Sequence, residues 1–450
     1  MSSSTNYYKR NIQLALPLIA ANMGQAVVAI VDNIMVGQLG ATQLAAASFA
    51  GVIVMNFFVF GMGVAISLTP LAGHAYSSGR YKKVSMLFQN SLSLNLMLGV
   101  IIAGILFAII PLLHRMGQPV EVVNTAIPFY KLLAISTIPY FAFLSFKQFM
   151  EGVGNTRVAM FITIFTNLLN VVLNYVLIYG KLGAPAMGIV GAGVSTLVAR
   201  CLMPILFFGY VWAKRPYRRF LSFFRMEHFQ VAKHRQLLDV GLPISGQMVI
   251  EFFALSVSAI MMGWLGTNQL AANQVVLSVV HFTFMISVGI SEASTILVSH
   301  AFGAKNFTDM RKQAYAGMQM AMGFMLVAAL TFIFFGEAIA SVFTSNTDVI
   351  RFAGQMFLVV ALFELSDGLQ ITALGALRGI TDVKRPMVYA LLSYLFINIP
   401  AAYFFGFVVG WGVQGIWLGF FCGLTVAAFL YIRRFRISSR RLEQQYAASC

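Results

Sequence analysis

Five carboxylate side chains lie inside long apolar stretches of this 450-residue chain. They are Asp32, Glu251, Glu292, Glu364 and Asp367, out of fourteen acidic residues in all. A charge in an apolar segment is costly unless it faces a cavity, a cation or a partner. Because carboxylates bind protons and hard cations, these acids predict cation-dependent chemistry within the apolar part of the molecule.

The acids of the C-terminal half form the first candidate site. Glu364 and Asp367 are three residues apart, so a helix places them on nearly the same face. Two close carboxylates repel each other, and this repulsion favours binding of a proton or a cation. We expect Glu251 and Asp367 to bind a cation. Glu292 and Glu364 are expected to face the same interior, although Glu364 could equally hydrogen-bond a neighbouring helix.

A second candidate site surrounds Asp32, which is followed directly by Asn33. Asn170 and Asn174 are four residues apart and share one helix face, and Thr196 could add a hydroxyl. Carboxylate, amide and hydroxyl oxygens suit a hard cation, and a proton needs no such shell, so Na⁺ is favoured over H⁺. The alternative is that the buried asparagines only join helices by hydrogen bonds.

The elements that carry these residues are predicted to be transmembrane helices. Hydrophobic residues make up 59% of the chain and charged residues 10%, whereas soluble domains carry roughly 25% charged residues. Apolar runs of about 20 residues cross a bilayer as helices. We predict an all-α membrane protein with spans at about 12–36, 48–72, 90–112, 128–150, 158–180, 189–213, 240–264, 275–300, 314–335, 351–376, 385–408 and 412–432.

The net charge of the chain is +16, and its basic residues are concentrated on one side of the predicted membrane. Of 30 lysines and arginines, 25 lie in alternate loops, within about one turn of them, or at the two ends of the chain. This pattern predicts a multi-pass protein of the bacterial inner membrane with both termini in the cytoplasm. The charge therefore sets topology and does not indicate a nucleic-acid partner. Contacts with membrane lipids are expected, and no obligate protein partner is inferred.

The chain repeats itself with an offset of 226 residues, from Pro17 to Pro243. Leu39-Gly40 then coincides with Leu265-Gly266. Each repeat holds six helices, so the two repeats are parallel and form two lobes with a central cleft, an arrangement that suits alternating access. The expected divisions are an N-lobe (1–213), a cytoplasmic linker (214–239), a C-lobe (240–432) and a cytoplasmic tail (433–450).

The acids do not follow the repeat, but two prolines do. The offset places Asp32 on Ser258 and Glu251 on Gln25, so each lobe carries its own acids. Pro17 and Pro243 match, and each removes a backbone hydrogen bond and permits a kink. We expect these kinks to act in gating, although membrane helices also tolerate proline without a function.

Several motifs, taken together, resemble the multidrug and toxic compound extrusion (MATE) family. They are Asp32–Gly37 with Leu39-Gly40, the counterpart at 261–272, and the paired turns Gly152–Arg157 and Leu377–Val383. The resemblance covers about residues 10–435. It implies an outward-facing V of two six-helix lobes and cation-driven export. Asp32, Asn170 and Asn174 match the family's N-lobe cation site. The acids on the seventh and tenth helices resemble the C-lobe pair of the NorM-like branch, which implies that Glu251 and Asp367 bind the coupling cation or a cationic substrate in exchange.

We expect a cation-coupled antiporter that exports hydrophobic organic cations such as dyes and antibiotics, driven by Na⁺ or H⁺. No enzyme is expected, because the sequence has no phosphate-binding loop, nucleophile elbow or His/Cys cluster, and no cofactor beyond the coupling ion is implied. One alternative is a lipid-linked oligosaccharide flippase of a related two-lobed fold. It would need basic residues in the cavity, where Arg200 stands nearly alone. The other is a non-coupled membrane channel.

Overall fold

The computed structural model describes residues 4–222 and 229–448, and every regular element in these residues is helical. Twelve of the helices are long and apolar enough to cross a membrane. They are α1 Ser4–Gly37, α2 Ala41–Ile66 with its continuation Leu68–Ser77, α3 Tyr81–Ile109, α4 Val120–Gly152, α5 Thr156–Tyr179, α6 Ile189–Ala213, α7 Val231–Leu265, α8 Thr267–Gly303, α9 Phe307–Phe343, α10 Thr347–Gly379, α11 Lys384–Val408 and α12 Gly412–Ala447.

Several helices extend well beyond the apolar runs that predict them. The 36 residues of α12 span about 54 Å at 1.5 Å per residue, whereas the hydrocarbon core is only about 30 Å thick. Residues 433–447 are expected from the sequence to form a separate cytoplasmic tail. In the structure they continue α12 as helix up to Ala447. The expected linker likewise contains a short helix, Arg215–Ser222. Polar residues can extend a helix once water or headgroups solvate their side chains.

The chain divides into two compact units at positions that differ from the expected lobe boundaries. Unit 1 contains the chain up to Ile19 together with the chain from Gly246 onwards, and unit 2 runs from Ala20 to Ser245. Both divisions fall inside a helix, α1 in one case and α7 in the other. They occupy equivalent positions of the repeat, shortly after Pro17 and Pro243.

Each unit is built around one central helix. In unit 2, α4 packs against α2, α3 and α6, and in unit 1 its counterpart α10 packs against α8, α9 and α12. The equivalence extends to single hydrogen bonds. The Thr69 hydroxyl donates to the carbonyl of Gln148 (3.2 Å), and the Thr295 hydroxyl donates to the carbonyl of Gly375 (2.9 Å).

Glycine permits the same close approach in both halves. A Cβ on Gly152 would lie 3.0 Å from the carbonyl oxygen of Thr69, and a Cβ on Gly379 would lie 3.0 Å from that of Thr295. Both contacts are tighter than ordinary side-chain packing allows. The central helix of each unit can therefore approach its neighbour closely only because glycine stands at these positions.

Candidate functional site

Three hydrogen bonds converge on one carboxylate oxygen of Glu251 in α7. Gln247 donates from Nε2 at 2.8 Å, Gln370 donates from Nε2 at 3.0 Å, and the Tyr394 hydroxyl donates at 2.9 Å. All three are made to Oε1, and Oε2 accepts no hydrogen bond from another described residue. Three donors on one oxygen hold the Glu251 side chain in a fixed position.

The donors come from three helices. Gln247 lies one turn before Glu251 in α7, and Gln370 lies in α10. Tyr394 lies in the segment Leu391–Asn398 of α11, where the helix winds with the wider π turn. Such turns are rare in proteins overall, but those that occur are often found at functional sites. The tyrosine that donates to Glu251 therefore belongs to the π-helical part of α11.

Asp367 and Glu364 of α10 complete a C-terminal acid cluster with Glu251. Asp367 lies one turn before Gln370, is 5% exposed, and has no hydrogen bond with another described residue. It is close enough to both Glu251 and Glu364 for the carboxylates to repel each other. Glu364 accepts a hydrogen bond from the Thr283 hydroxyl at 2.9 Å, while its other oxygen is buried and has no hydrogen-bond partner among the described residues.

Arg378, at the end of α10, connects a positive charge to this cluster. Its Nη2 donates to Oε1 of Gln247 at 2.8 Å, and Gln247 in turn donates to Glu251. Arg378 also attracts Glu251 and Glu292 electrostatically. The expectation that Arg200 is nearly the only base near the interior is therefore wrong. A residue at the end of a helix reaches inward because its long side chain spans a full helical turn.

The second group of polar residues lies in unit 2 around Asp32 of α1. The Asn174 amide donates to Oδ1 of Asp32 at 2.5 Å. The amide oxygen of Asn174 accepts a hydrogen bond from the Ser195 hydroxyl, and Asn170 donates to that hydroxyl at 3.3 Å. Asp32, Asn170 and Asn174 are thus brought together as a hydrogen-bonded chain, which we call the N-terminal acid cluster.

Two expected members of this cluster lie elsewhere. The Thr196 hydroxyl donates to the carbonyl of Ala192 in its own helix at 2.9 Å, and the neighbouring Ser195 makes the contacts expected of Thr196. Asn33 is exposed and has no hydrogen bond with another described residue. Adjacent helical positions point about 100° apart, so only one of each adjacent pair can face the other helices of the cluster.

Arg200 of α6 lies near the N-terminal acid cluster. Its guanidinium packs over the rings of Phe58 (4.7 Å to the centroid) and Tyr140 (4.8 Å), and Nη1 donates to the Ser136 hydroxyl at 2.8 Å. Arg200 and Asp32 attract each other. Each unit therefore contains a partly buried acid with amide donors and an arginine nearby.

Neither cluster has the composition of a transition-metal site. Among the residues that the structure describes, no three His, Cys, Asp or Glu side chains are grouped so that they could hold a metal ion. The oxygens of Asp32, Asn170 and Asn174 remain the candidate Na⁺ ligands. One Asp32 oxygen already accepts from Asn174, so a cation would bind through the other oxygen or displace the amide.

Sequence reasoning missed five residues of the two clusters, and a signal existed for three of them. Gln247 lies four residues from Glu251, Gln370 lies three residues from Asp367, and Ser195 is next to Thr196. Polar residues at helical spacing from an intramembrane acid share its face. Tyr394 and Arg378 gave no such signal, because their contacts with the cluster depend on how α7, α10 and α11 pack.

Twelve apolar helices in two equivalent halves, each half with a buried acid cluster, define a multi-pass membrane protein of the transporter class. The family model described as MatE matches residues 17–176 and again residues 243–404, once in each half. The chain belongs to this family of multidrug transporters. This confirms the resemblance, the fold class and the multidrug-transport character inferred from the sequence.

Individual relatives agree with this assignment along the whole chain. The probable multidrug resistance protein NorM of Rhizobium meliloti (strain 1021) is 32% identical, over 100% of this chain and 97% of its own. The multidrug resistance protein NorM of Vibrio vulnificus (strain YJ016) is 30% identical, over 93% and 92%. A crystal structure of a variant of the MATE transporter VcmN of Vibrio cholerae has the same fold, with a TM-score of 0.90, 18% identity, and coverage of 98% and 99%.

Proposed function

We propose that this protein exports hydrophobic organic cations, including dyes and antibiotics, in exchange for a coupling cation, with Na⁺ favoured and H⁺ possible. The observation that carries the proposal is the C-terminal acid cluster. Glu251 is fixed by three donors, while Asp367 beside it has no hydrogen bond with a described residue. The full-length relatives named for multidrug resistance support the substrate class.

The cluster supports exchange because one negative site serves both cations. Two neighbouring carboxylates repel each other, and this repulsion is strong where the local dielectric is low. Either a coupling ion or a cationic drug relieves it, so binding of one disfavours binding of the other. Arg378 donates to Gln247 and attracts Glu251, so it offsets part of the negative charge of the cluster.

The N-terminal acid cluster is proposed as a binding site for the coupling ion. Asp32 supplies a carboxylate, and Asn170 and Asn174 supply amide oxygens of the kind that a hard cation prefers. A cation bound at Asp32 would change the hydrogen bond that joins α1 to α5, so cation binding would affect the positions of both helices. Binding shifts a conformational equilibrium only if the two states have different affinities for the ion.

Export is proposed to occur by alternating access across the bacterial inner membrane, with both termini in the cytoplasm. The distribution of basic residues supports this orientation, since 25 of 30 fall in alternate loops, within about one turn of them, or at the ends. The two parallel six-helix repeats support a mechanism in which the same site opens to one side and then to the other.

Counterflow in proteoliposomes tests exchange against simple conduction. The purified protein is reconstituted into vesicles loaded with unlabelled ethidium, and entry of labelled ethidium is followed. An antiporter gives faster entry when unlabelled ethidium is present inside, whereas a channel gives the same rate with or without it. Equal rates under both conditions, in vesicles that do take up the dye, would rule out coupled exchange.

A further inference from the structure

A cleft of about 870 Å³ lies between the beginning of α9 and the end of α12, both in unit 1. Its lining includes Arg311, Lys312 and Tyr315 of α9 together with Arg436, Arg440 and Glu443 of α12. Four of these side chains are basic and one is acidic. A concave surface with this excess of positive charge attracts anions.

Part of this positive charge has no counter-ion in the described part of the chain. Glu443 pairs with Arg311, with Nη1 2.6 Å from Oε2 and Nη2 3.3 Å from Oε1. Neither Arg436 nor Arg440 has a salt bridge or side-chain hydrogen bond with another described residue. They are four residues apart on one face of α12, where like charges repel each other. An anion between them would remove this repulsion.

The cleft lies where apolar and charged surface meet. The apolar part of α12 ends at Ile432, and Arg436 follows one turn later. Phe429 lies two turns before Arg436 on the same helix face, and 64% of its surface is exposed. On α9, the cleft residues occupy the first turns, before the apolar part of that helix begins. An exposed phenylalanine therefore lies on the same helix face as two arginines that have no partner in the described part of the chain.

We infer that this cleft binds the phosphate of an anionic phospholipid in the membrane leaflet at this end of α9 and α12. Guanidinium groups match phosphate oxygens with paired hydrogen bonds. The acyl chains would lie along the surface that includes Phe429. A soluble phosphate could meet the same arginines but would gain nothing from that apolar surface.

Native mass spectrometry of the full-length protein tests the site with phosphatidylglycerol as the ligand. The R436Q/R440Q variant is compared with R433Q/R441Q, which removes the same charge from the same helix outside the cleft lining. We expect the cleft variant to bind phosphatidylglycerol roughly tenfold or more weakly, and the control to stay within about twofold of the wild type. Phosphatidylethanolamine should bind weakly to all three proteins.

Three results would overturn the inference. They are an unchanged affinity in the cleft variant, an equal loss in both variants, and displacement of the lipid by millimolar inorganic phosphate, which would indicate a soluble-anion site. The E443Q variant gives a second test that does not depend on removing arginines. It removes the acid that lines the cleft with the basic groups, so phosphatidylglycerol should bind more tightly than to the wild type, and weaker or equal binding contradicts the site.

Discussion

The Tyr394 hydroxyl and the Glu251 carboxylate are joined by a 2.9 Å hydrogen bond, although 143 residues separate them in the chain. The bond connects α11 to α7 at the centre of the C-terminal acid cluster. A phenol that donates to a carboxylate stabilises the charged form of the acid. In the proposed mechanism, Tyr394 therefore helps to set how tightly Glu251 binds the coupling cation.

Tyr394→Phe should leave the protein folded and active but change its response to the coupling ion. Loss of the donor makes the charged carboxylate less stable when no cation is bound, so the ion should bind more tightly. A hydrogen bond to a charged group contributes about 1.5–3 kcal/mol, which predicts an ion concentration at half-maximal efflux that is lower by roughly tenfold or more. Tyr403→Phe, at an exposed position of the same helix, is the control. An unchanged half-saturating concentration in Tyr394→Phe would contradict this role.

Glu251→Gln and Asp367→Asn should each abolish resistance to ethidium, since each removes a charge of the C-terminal acid cluster while keeping the shape of the side chain. The measurement is growth inhibition of an efflux-deficient bacterial strain, with protein in the membrane fraction matched by immunoblot. Glu337→Gln makes the same chemical change at an exposed position of α9 and should retain resistance. Normal resistance in both cluster variants would exclude the site.

Asp32→Asn should uncouple ion binding from transport. The amide cannot supply the negative charge that Na⁺ or H⁺ neutralises, and Asn174 would face an amide in place of a carboxylate. We expect efflux in the variant to lose most of its dependence on Na⁺ and on pH. Asp239→Asn, at an exposed position of α7, is the matched control. If ion-driven efflux in Asp32→Asn equals that of the wild type at every Na⁺ concentration and pH, Asp32 has at most a structural role.

Pro17→Ala and Pro243→Ala should slow transport several-fold. Each proline lies shortly before the point where its helix passes from one compact unit to the other. Alanine restores an N–H group and a backbone hydrogen bond, so it should stiffen α1 or α7 at that point. Pro128→Ala alters α4, which lies within a single unit, and should have a smaller effect on the efflux rate. Equal rates in all three variants would remove the gating role of the matched prolines.

The fold could be predicted from the sequence largely because its signals are local. Long apolar runs give the helices, and the offset between Pro17 and Pro243 gives the repeat. The grouping of Asp32 with Asn174 could be predicted too, since helical spacing places Asn170 and Asn174 on one face and the family resemblance assigns Asp32 to the same site. The division of α1 between two units was not accessible, because it depends on which helices the first turns of α1 pack against.

The chemistry of the C-terminal acid cluster was only partly accessible. The sequence shows that Glu251 and Asp367 lie in apolar segments, where a carboxylate must be stabilised by other groups. It does not show which residues stabilise them. Tyr394 reaches Glu251 from a π-helical segment, and no periodicity in the sequence marks that winding. Arg378 follows the last apolar residues of α10, so the sequence alone suggests a basic residue of a loop. Its contact with Gln247 is evident only from the packing of the helices.

The most direct test of cation-coupled export is ethidium efflux from vesicles in which an uncoupler has collapsed the proton gradient and an Na⁺ gradient is then imposed. The proposed mechanism predicts that the Na⁺ gradient alone drives efflux in the wild type and not in Glu251→Gln. If the Na⁺ gradient drives no efflux while a proton gradient alone does, the assignment of Na⁺ is wrong. If neither gradient drives efflux in vesicles that contain folded protein, the antiport mechanism is wrong.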